Sequence, residues 1–242
     1  MTPEPPPRYR YLTFNTPLSS ATADELCAAL VRRQPGTIVD IGCGWAELLL
    51  RALAAVPTAR GIGIDRDEEL LERARTGAEG RGLADRPTTR TELPAGGEQA
   101  DAVVCIGADH IFGTQANALL ALHGHVAPRG RLLFGSGYWQ AVPTPEQAAT
   151  IGADPEDFGS LADLVQLALA AGFRLIDLRT ATPREWETFE LGYLADWEEW
   201  LVDWSDHPSA ADVRARADAH RSGYLRGWRE VMGFAYLVLG RP

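Results

Sequence analysis

The residues best placed to do chemistry are an acid and two glycines that directly follow an apolar run. They are Asp40, Gly42 and Gly44 in the segment IVDIGCGWA at 38–46, whose pattern is that of a strand, a glycine turn and a helix start. Glycines at such a turn let a ligand approach the backbone, and the helix N-terminus faces that ligand. A nicotinamide-type fingerprint needs Gly or Ala where Glu47 stands, and the carboxylates of Asp40 and Glu47 would repel a pyrophosphate. The turn therefore predicts a ligand without phosphates that offers a cationic group and hydroxyls.

A second acid, Asp65, ends the next apolar run about 20 residues after the glycine turn. In a parallel sheet this is the usual position of a carboxylate that accepts hydrogen bonds from both ribose hydroxyls. S-adenosylmethionine (SAM) carries a ribose and a sulfonium and has no phosphate. Asp40, the glycines and Asp65 together therefore favour SAM as the cofactor.

These residues resemble the class I SAM-dependent methyltransferases, whose D-x-G-x-G turn and second-strand acid match Asp40, Gly42, Gly44 and Asp65. Ala46 stands where a third glycine is common in that turn. The resemblance implies a cofactor site drawn from the N-terminal segment, the glycine turn and the ends of the second to fourth strands. Its implied members are Asn15, Asp40, Gly42, Cys43, Gly44, Asp65, Arg66, Glu92, Ile106 and Gly107. Arg66 would lie beside the adenine, and Glu92 near its amino group.

Three further segments resemble one group of this family, bacterial methyltransferases that act on small molecules. They are FNTPLS at 14–19, GADHIFG at 107–113 and EWETFE at 185–190. The resemblance thus extends over most of the chain and implies a small-molecule methyl acceptor.

His110, in the turn after the fourth predicted strand, is the predicted catalytic residue. Ligands bind beyond the carboxyl ends of parallel strands, so this turn faces the transferred methyl group. A histidine with an ordinary pKa near ~6.5 suits removal of a proton from an oxygen, nitrogen or thiol nucleophile; alternatively, His110 only orients the cofactor or substrate. No metal is expected, because beyond Asp109 the next strand ends in GSG at 135–137, without a carboxylate. The other four histidines are expected on the surface.

Aromatic residues and one acid are the candidates for binding the acceptor. Besides His110 they are Tyr138, Trp139, Trp186, Glu190 and Tyr193. Trp186 and Tyr193 belong to a stripe whose spacing of three or four residues puts it on one face of a helix. The rest of the stripe is Phe189, Trp197, Trp200 and Trp204. The stripe either packs the helix or lines a pocket, and Glu190 either holds a cationic amine or is an ordinary surface acid.

The elements that would position these residues alternate along the chain. Apolar runs and cap residues predict helices at 18–33, 45–56, 67–77, 114–123 and 161–171, and strands at 37–41, 61–64, 88–91, 102–106, 131–134, 173–178 and 234–239. This order predicts an α/β fold, a doubly wound and mostly parallel seven-stranded Rossmann-like sheet. An N-terminal cap is predicted at 1–36, the SAM-binding core at 37–180 and 231–242, and a helical lid inserted before the last strand at 181–230.

The amino-acid composition argues against several other classes of enzyme and binding protein. All 23 basic residues are Arg, so the chain lacks the Lys that a Schiff base or a P-loop requires. With 33 acidic residues in 242, the net charge of -10 disfavours nucleic acid. The start of the chain does not have the pattern of a signal peptide, no apolar stretch approaches the ~20 residues of a membrane span, and three scattered cysteines are typical of a reducing compartment. We therefore expect a cytoplasmic monomer or homodimer whose partner is a small molecule, without nucleic acid or membrane.

The predicted function is SAM-dependent methylation of a small molecule at oxygen or nitrogen, with S-adenosyl-L-homocysteine (SAH) as the product. Two alternatives stay open. One is a catalytically silent SAM-binding module that regulates a partner; the other is a nicotinamide oxidoreductase, which Asp40 and Glu47 disfavour.

Overall fold

The computed structural model describes residues 8–93, 98–152 and 154–242. The first seven residues of the predicted N-terminal cap therefore lie outside the described part of the chain.

Strands and helices alternate over most of that part. The strands are β1 (Thr37–Ile41), β2 (Arg60–Ile64), β3 (Pro87–Arg90), β4 (Ala100–Ile106), β5 (Val126–Trp139), β6 (Arg174–Thr180) and β7 (Met232–Gly240). The α-helices are α1 (Ser20–Val31), α2 (Glu47–Ala55), α3 (Glu68–Glu79), α4 (Gln115–His125), α5 (Pro145–Ile151), α6 (Leu161–Ala170), α7 (Pro183–Asp203) and α8 (Ala210–Ser222). A 3-10 helix spans Asp109–Phe112, and a π-helix spans Gly223–Trp228.

The seven strands form one sheet in the order β3-β2-β1-β4-β5-β7-β6. Strands β3, β2, β1, β4 and β5 pair in parallel, and β6 pairs antiparallel with β7. This confirms the predicted α/β, doubly wound, mostly parallel sheet. The order reverses between β1 and β4, which is where ligands bind in such sheets. Asp40 lies level with Gly63 of β2 and Val104 of β4 at this point.

Local signals explain why the predicted helices and strands form. Ser19 accepts a hydrogen bond from the Thr22 N–H at the start of α1, and Asp67 caps α3 through the Glu69 N–H. β1 and β4 are buried along most of their length, as expected for central strands of a parallel sheet. β5 extends well beyond the predicted 131–134 because GSG at 135–137 stays extended and buried.

The chain divides into two compact units. The sheet unit contains Ser19–Gly137, Leu161–Thr180 and Phe234–Pro242, and the helical unit contains the described residues up to Leu18, Tyr138–Ser160 and Ala181–Gly233. A division after residue 180 was also predicted, whereas the divisions after Leu18 and Gly233 differ from those predicted after residues 36 and 230, and 138–160 groups with the helical unit.

Side-chain packing accounts for the difference at the N-terminus. α1 packs on α2 and so belongs to the sheet unit. The preceding segment packs on α7 instead. Arg10 Nε lies 3.1 Å from Asp196 Oδ1, and a Cβ added to Gly192 would lie 2.6 Å from Leu12 Cδ2.

Candidate active site

The glycine turn follows β1 and is tied to the end of β2. The N–H groups of Gly42 and Cys43 both donate to the Ile64 carbonyl, at 2.8 and 2.9 Å. Gly42 and Gly44 have φ values of +72° and +54°, in the left-handed region that favours glycine. A Cβ at Gly42 would lie 2.4 Å from Ala108 Cβ, whereas a Cβ at Gly44 would meet nothing within 4 Å. The fold itself therefore requires Gly42, while Gly44 leaves an open surface on which a cofactor can lie.

Asp65 follows β2 and holds this turn in place. Its Oδ2 accepts a hydrogen bond from the Gly44 N–H at 2.8 Å, and its Oδ1 accepts one from the Asp67 N–H at 2.9 Å. The acid predicted to bind the ribose thus also links the glycine turn to the start of α3. Sequence reasoning did not predict this second role.

Asp40 is a buried carboxyl at the end of β1. Burial, assisted by the negative charge of Asp65, raises the pKa of Asp40 to about 7. A cationic group brought near Asp40 would offset the cost of ionising it. This electrostatic setting suits SAM, which carries a sulfonium and an ammonium group.

Glu47 and Ala46 show how the start of α2 is built. Glu47 forms ion pairs with Arg51 at 2.8 Å and with Arg81 at 2.6 Å. Its charge is therefore compensated locally, and the expectation that Glu47 repels phosphates is wrong for this structure; that argument now rests on Asp40. Ala46 has φ +57°, which explains why glycine is common at this position of the turn.

We expect Asp65→Ala to weaken SAH binding by about 1.5 to 3 kcal/mol, or roughly 10- to 150-fold, because a charged acceptor is lost. Asp101→Ala is a matched control. Asp101 accepts hydrogen bonds from the Gly36 and Thr37 N–H groups at the start of β1, so its loss perturbs the backbone at the other end of that strand. Calorimetric titration with SAH measures both variants. Parent-like affinity in Asp65→Ala would contradict the assignment.

β4 ends at Ile106, and the turn after it carries Gly107 and His110. Gly107 has φ +66° and donates its N–H to the Gly135 carbonyl at 2.8 Å. His110 is exposed in the 3-10 helix. Of the other histidines, His123 is half-buried: it packs edge-on against Phe173, and burial and Arg241 lower its pKa.

A chain of hydrogen bonds connects this turn to the end of β5. The buried Ser136 hydroxyl donates to Asp109 Oδ2 at 3.0 Å and accepts from Gln115 Nε2 at 2.7 Å. Gln115 Nε2 also lies 2.7 Å from the Gly137 carbonyl. Sequence reasoning considered Asp109 only as a poor metal ligand. A polar Ser136 within an otherwise apolar strand was the signal that could have revealed the network.

Among residues 8–93, 98–152 and 154–242, no group of three or more His, Cys, Asp or Glu side chains could hold a metal ion. In the same residues, no helix is both long and apolar enough to cross a membrane.

The remaining residues assigned to the cofactor differ in exposure. Arg66 is exposed next to Asp65, and Glu92 is exposed two residues beyond β3. Cys43 is half-buried, burial raises the pKa of its thiol, and a Cβ at Gly63 would come within 3.0 Å of its sulfur. Asn15 is exposed in the helical unit.

Tyr138 and Trp139, two of the acceptor candidates, pack inside the helical unit. Trp139 Nε1 donates to the Pro155 carbonyl at 2.9 Å, and its ring meets Phe158 edge-on. Tyr138 is buried, which raises its pKa, and a Cβ added to Gly233 would lie 2.2 Å from its ring. Packing alone therefore explains why aromatic side chains occupy both positions.

The aromatic stripe lies mostly on α7. This helix begins with a capping box between Thr182 and Glu185, which explains the first acid of EWETFE. Trp186 contacts Phe189, and the stripe continues through Tyr193, Trp197 and Trp200. Trp204 lies past the end of the helix and is 44% exposed, so its inclusion in the stripe is wrong.

Glu190 lies inside a cluster of rings rather than on the surface. It is 2% exposed, its Oε2 lies 2.6 Å from His220 Nε2, and its Oε1 accepts a hydrogen bond from Trp228 Nε1 at 3.0 Å. His220 stacks on Tyr193 with 4.8 Å between ring centroids. The surface-acid interpretation of Glu190 is therefore wrong, and His220 is half-buried beside it. In this structure both carboxylate oxygens of Glu190 already have partners.

Comparison with known proteins agrees with this geometry. Residues 39–132, which include the glycine turn, Asp65 and His110, match the methyltransferase domain family. The chain is 30% identical over 230 residues to trans-aconitate 2-methyltransferase of Methylobacterium radiotolerans, covering 88% of this chain and 84% of that protein. It is 29% identical over 216 residues to YjhP of Escherichia coli strain K12, covering 87% of each.

A solved structure shows the same fold over nearly the whole chain. The SAM-dependent methyltransferase from Geobacter sulfurreducens, in complex with SAH, has a TM-score of 0.84 and 27% identity, covering 96% of this chain and 94% of that one. The glycine turn, the second-strand acid and the sheet order are the features expected of this fold. The chain belongs to the class I SAM-dependent methyltransferases, and SAM is its cofactor.

Proposed function

We propose that this enzyme transfers the methyl group of SAM to an oxygen or nitrogen atom of a small-molecule acceptor. The observation that carries the proposal is the open glycine turn held by Asp65 beside the buried Asp40, which suits a cationic nucleoside cofactor. The similarity to an enzyme named for methylating trans-aconitate supports an acceptor of small size.

The proposed roles follow from where the side chains lie. Asp65 and the turn at Gly42–Cys43–Gly44 bind the cofactor, and Asp40 provides negative charge for its cationic part. Bound SAM supplies an electrophilic methyl group on a sulfonium. His110 accepts the proton of the acceptor's O–H or N–H group at a ring nitrogen, and its exposure lets it release that proton to solvent.

The helical unit is the proposed source of the residues that bind the acceptor. Trp186 and Tyr193 are the aromatic candidates on α7. Trp139 and Glu190 are weaker candidates than the sequence suggests, because their polar atoms are engaged within the unit. The three free thiols suit the reducing conditions of the cytoplasm, which we propose as the compartment.

The test of function is turnover of SAM with a panel of carboxylates, phenols, amines and thiols, followed as SAH release. We expect turnover with a carboxylate, phenol or amine. SAH binding without turnover on any member would favour the regulatory alternative, and methylation of thiols alone would contradict the proposed chemistry.

On a phenol or amine acceptor that this panel identifies, His110→Ala is expected to lower kcat by about 100-fold and to leave SAH affinity nearly intact, because the base that removes the acceptor's proton is lost. Rising pH should partly restore the rate if the acceptor ionises by itself. His125→Ala, at the end of α4, controls for the loss of an imidazole. An unaltered kcat and pH profile in His110→Ala would remove the base assignment.

A further inference from the structure

Three arginines lie toward the amino-terminal end of the parallel strands, opposite the glycine turn. Arg32 caps the C-terminus of α1, Arg33 follows it, and Arg131 lies near the start of β5, level with Ala102 of β4. Arg33 Nη1 lies 3.5 Å from the carbonyl oxygen of Arg129, which connects the end of α1 to β5 two residues before Arg131. This concentration of positive charge stands out in a chain with a net charge of -10.

Arg131 is the unusual member of this cluster. Its Nε and Nη1 are both shielded from solvent, and neither has a hydrogen-bond partner among the described residues. Burial and the positive charges of Arg33 and Arg32 lower the pKa of Arg131. Arg131 as a whole is half-buried, and two shielded guanidinium nitrogens without an acceptor destabilise the fold, so an arginine at this position calls for an explanation.

Helix geometry explains only part of the cluster. Cations are favoured at a helix C-terminus, which accounts for Arg32 and Arg33 at the end of α1. The helix C-terminus does not account for Arg131, whose guanidinium belongs to β5. The planar fork of arginine matches the oxygen atoms of phosphate and carboxylate groups, and a multivalent anion would relieve the mutual repulsion of the three charges.

We propose that Arg32, Arg33 and Arg131 form a binding site for a small multivalent oxyanion, a phosphorylated or polycarboxylate molecule, at the amino-terminal end of the parallel strands, away from the cofactor. The ligand is small because the acidic surface of the whole chain repels an extended polyanion such as nucleic acid. The site is separate from the proposed methyl transfer, since Asp40 and the glycine turn lie at the other end of β1.

Thermal unfolding of the full chain with pyrophosphate or citrate tests the site, against sodium chloride of equal ionic strength. Either anion is expected to raise the Tm of the wild type by roughly 2 to 4 °C. The anion that gives the larger rise in Tm shows whether the site prefers phosphate or carboxylate groups. Arg131→Met and the exposed Arg32→Ser should lose most of this rise. Arg216→Met, at an exposed position on α8, should keep it.

Arg131→Met removes a repelled cation and keeps a side chain of similar length, so we expect it to fold. SAH affinity, measured on the same variants, should stay unchanged, which separates this site from the cofactor site. Three results would overturn the proposal: no rise in the wild type beyond that with chloride, an equal rise in Arg131→Met, or tighter binding of a single-stranded oligonucleotide than of pyrophosphate.

Discussion

Gly44→Ala is expected to lower SAH affinity by roughly 10- to 100-fold while costing only about 1 kcal/mol of folding stability. The stability cost arises because Gly44 has φ +54°, a conformation unfavourable for alanine. The cost stays small because the added Cβ meets no atom of the protein within 4 Å. The space that this methyl group would fill is the surface on which we place the cofactor, so binding suffers far more than folding.

Gly82→Ala is the matched control for this prediction. Gly82 has φ +67°, and a Cβ there also meets nothing within 4 Å, but the residue lies after α3, away from the turn. Both variants should lose similar stability in urea unfolding, and only Gly44→Ala should lose affinity for SAH in calorimetry. Equal affinities in the two variants would show that no ligand lies over the turn. Gly42→Ala should be the least stable of the three, because its Cβ collides with Ala108.

Asp40→Asn is expected to stabilise the free protein at pH 8 by as much as ~4 kcal/mol and to weaken SAM binding. The folded-state pKa of Asp40 is about 7, against an ordinary value of 3.8, because the carboxyl is buried beside Asp65. Between these two values the folded chain keeps a proton that the unfolded chain has lost. The contribution of Asp40 to the free energy of unfolding therefore falls as pH rises from about 4 to about 7, and stays low above that range.

Urea unfolding at pH 5 and pH 8 measures this effect. The wild type should lose more stability between the two values than Asp40→Asn does, and Asp101→Asn corrects for the general loss of one negative charge. SAM affinity of the wild type should rise with pH up to about 7, because the cationic cofactor favours the ionised carboxyl, and should be nearly independent of pH in Asp40→Asn. A variant less stable than the wild type at pH 8 would contradict the cost assigned to burying this charge.

Local patterns in the sequence determined the order of the helices and strands and the identity of the cofactor. The run from β1 through the glycine turn to α2 is continuous in the chain, and caps such as Ser19 and Asp67 act within two or three residues. Such signals depend only on neighbouring residues, so a linear reading detects them. The same reading identified Asp65, because strand and helix lengths place that acid at a regular distance.

Only the tertiary structure decided what each polar side chain contacts. Arg81 neutralises Glu47 from 34 positions away, and Glu190 meets His220 across 30. Ser136 reaches Asp109 because β4 and β5 are neighbours in the sheet. These partners meet because of strand order and helix packing, and the spacing of residues along the chain does not determine either one. Burial is set in the same way, which is why spacing left Glu190 either as an amine-binding residue or as a surface acid, and only packing placed it in an aromatic cluster.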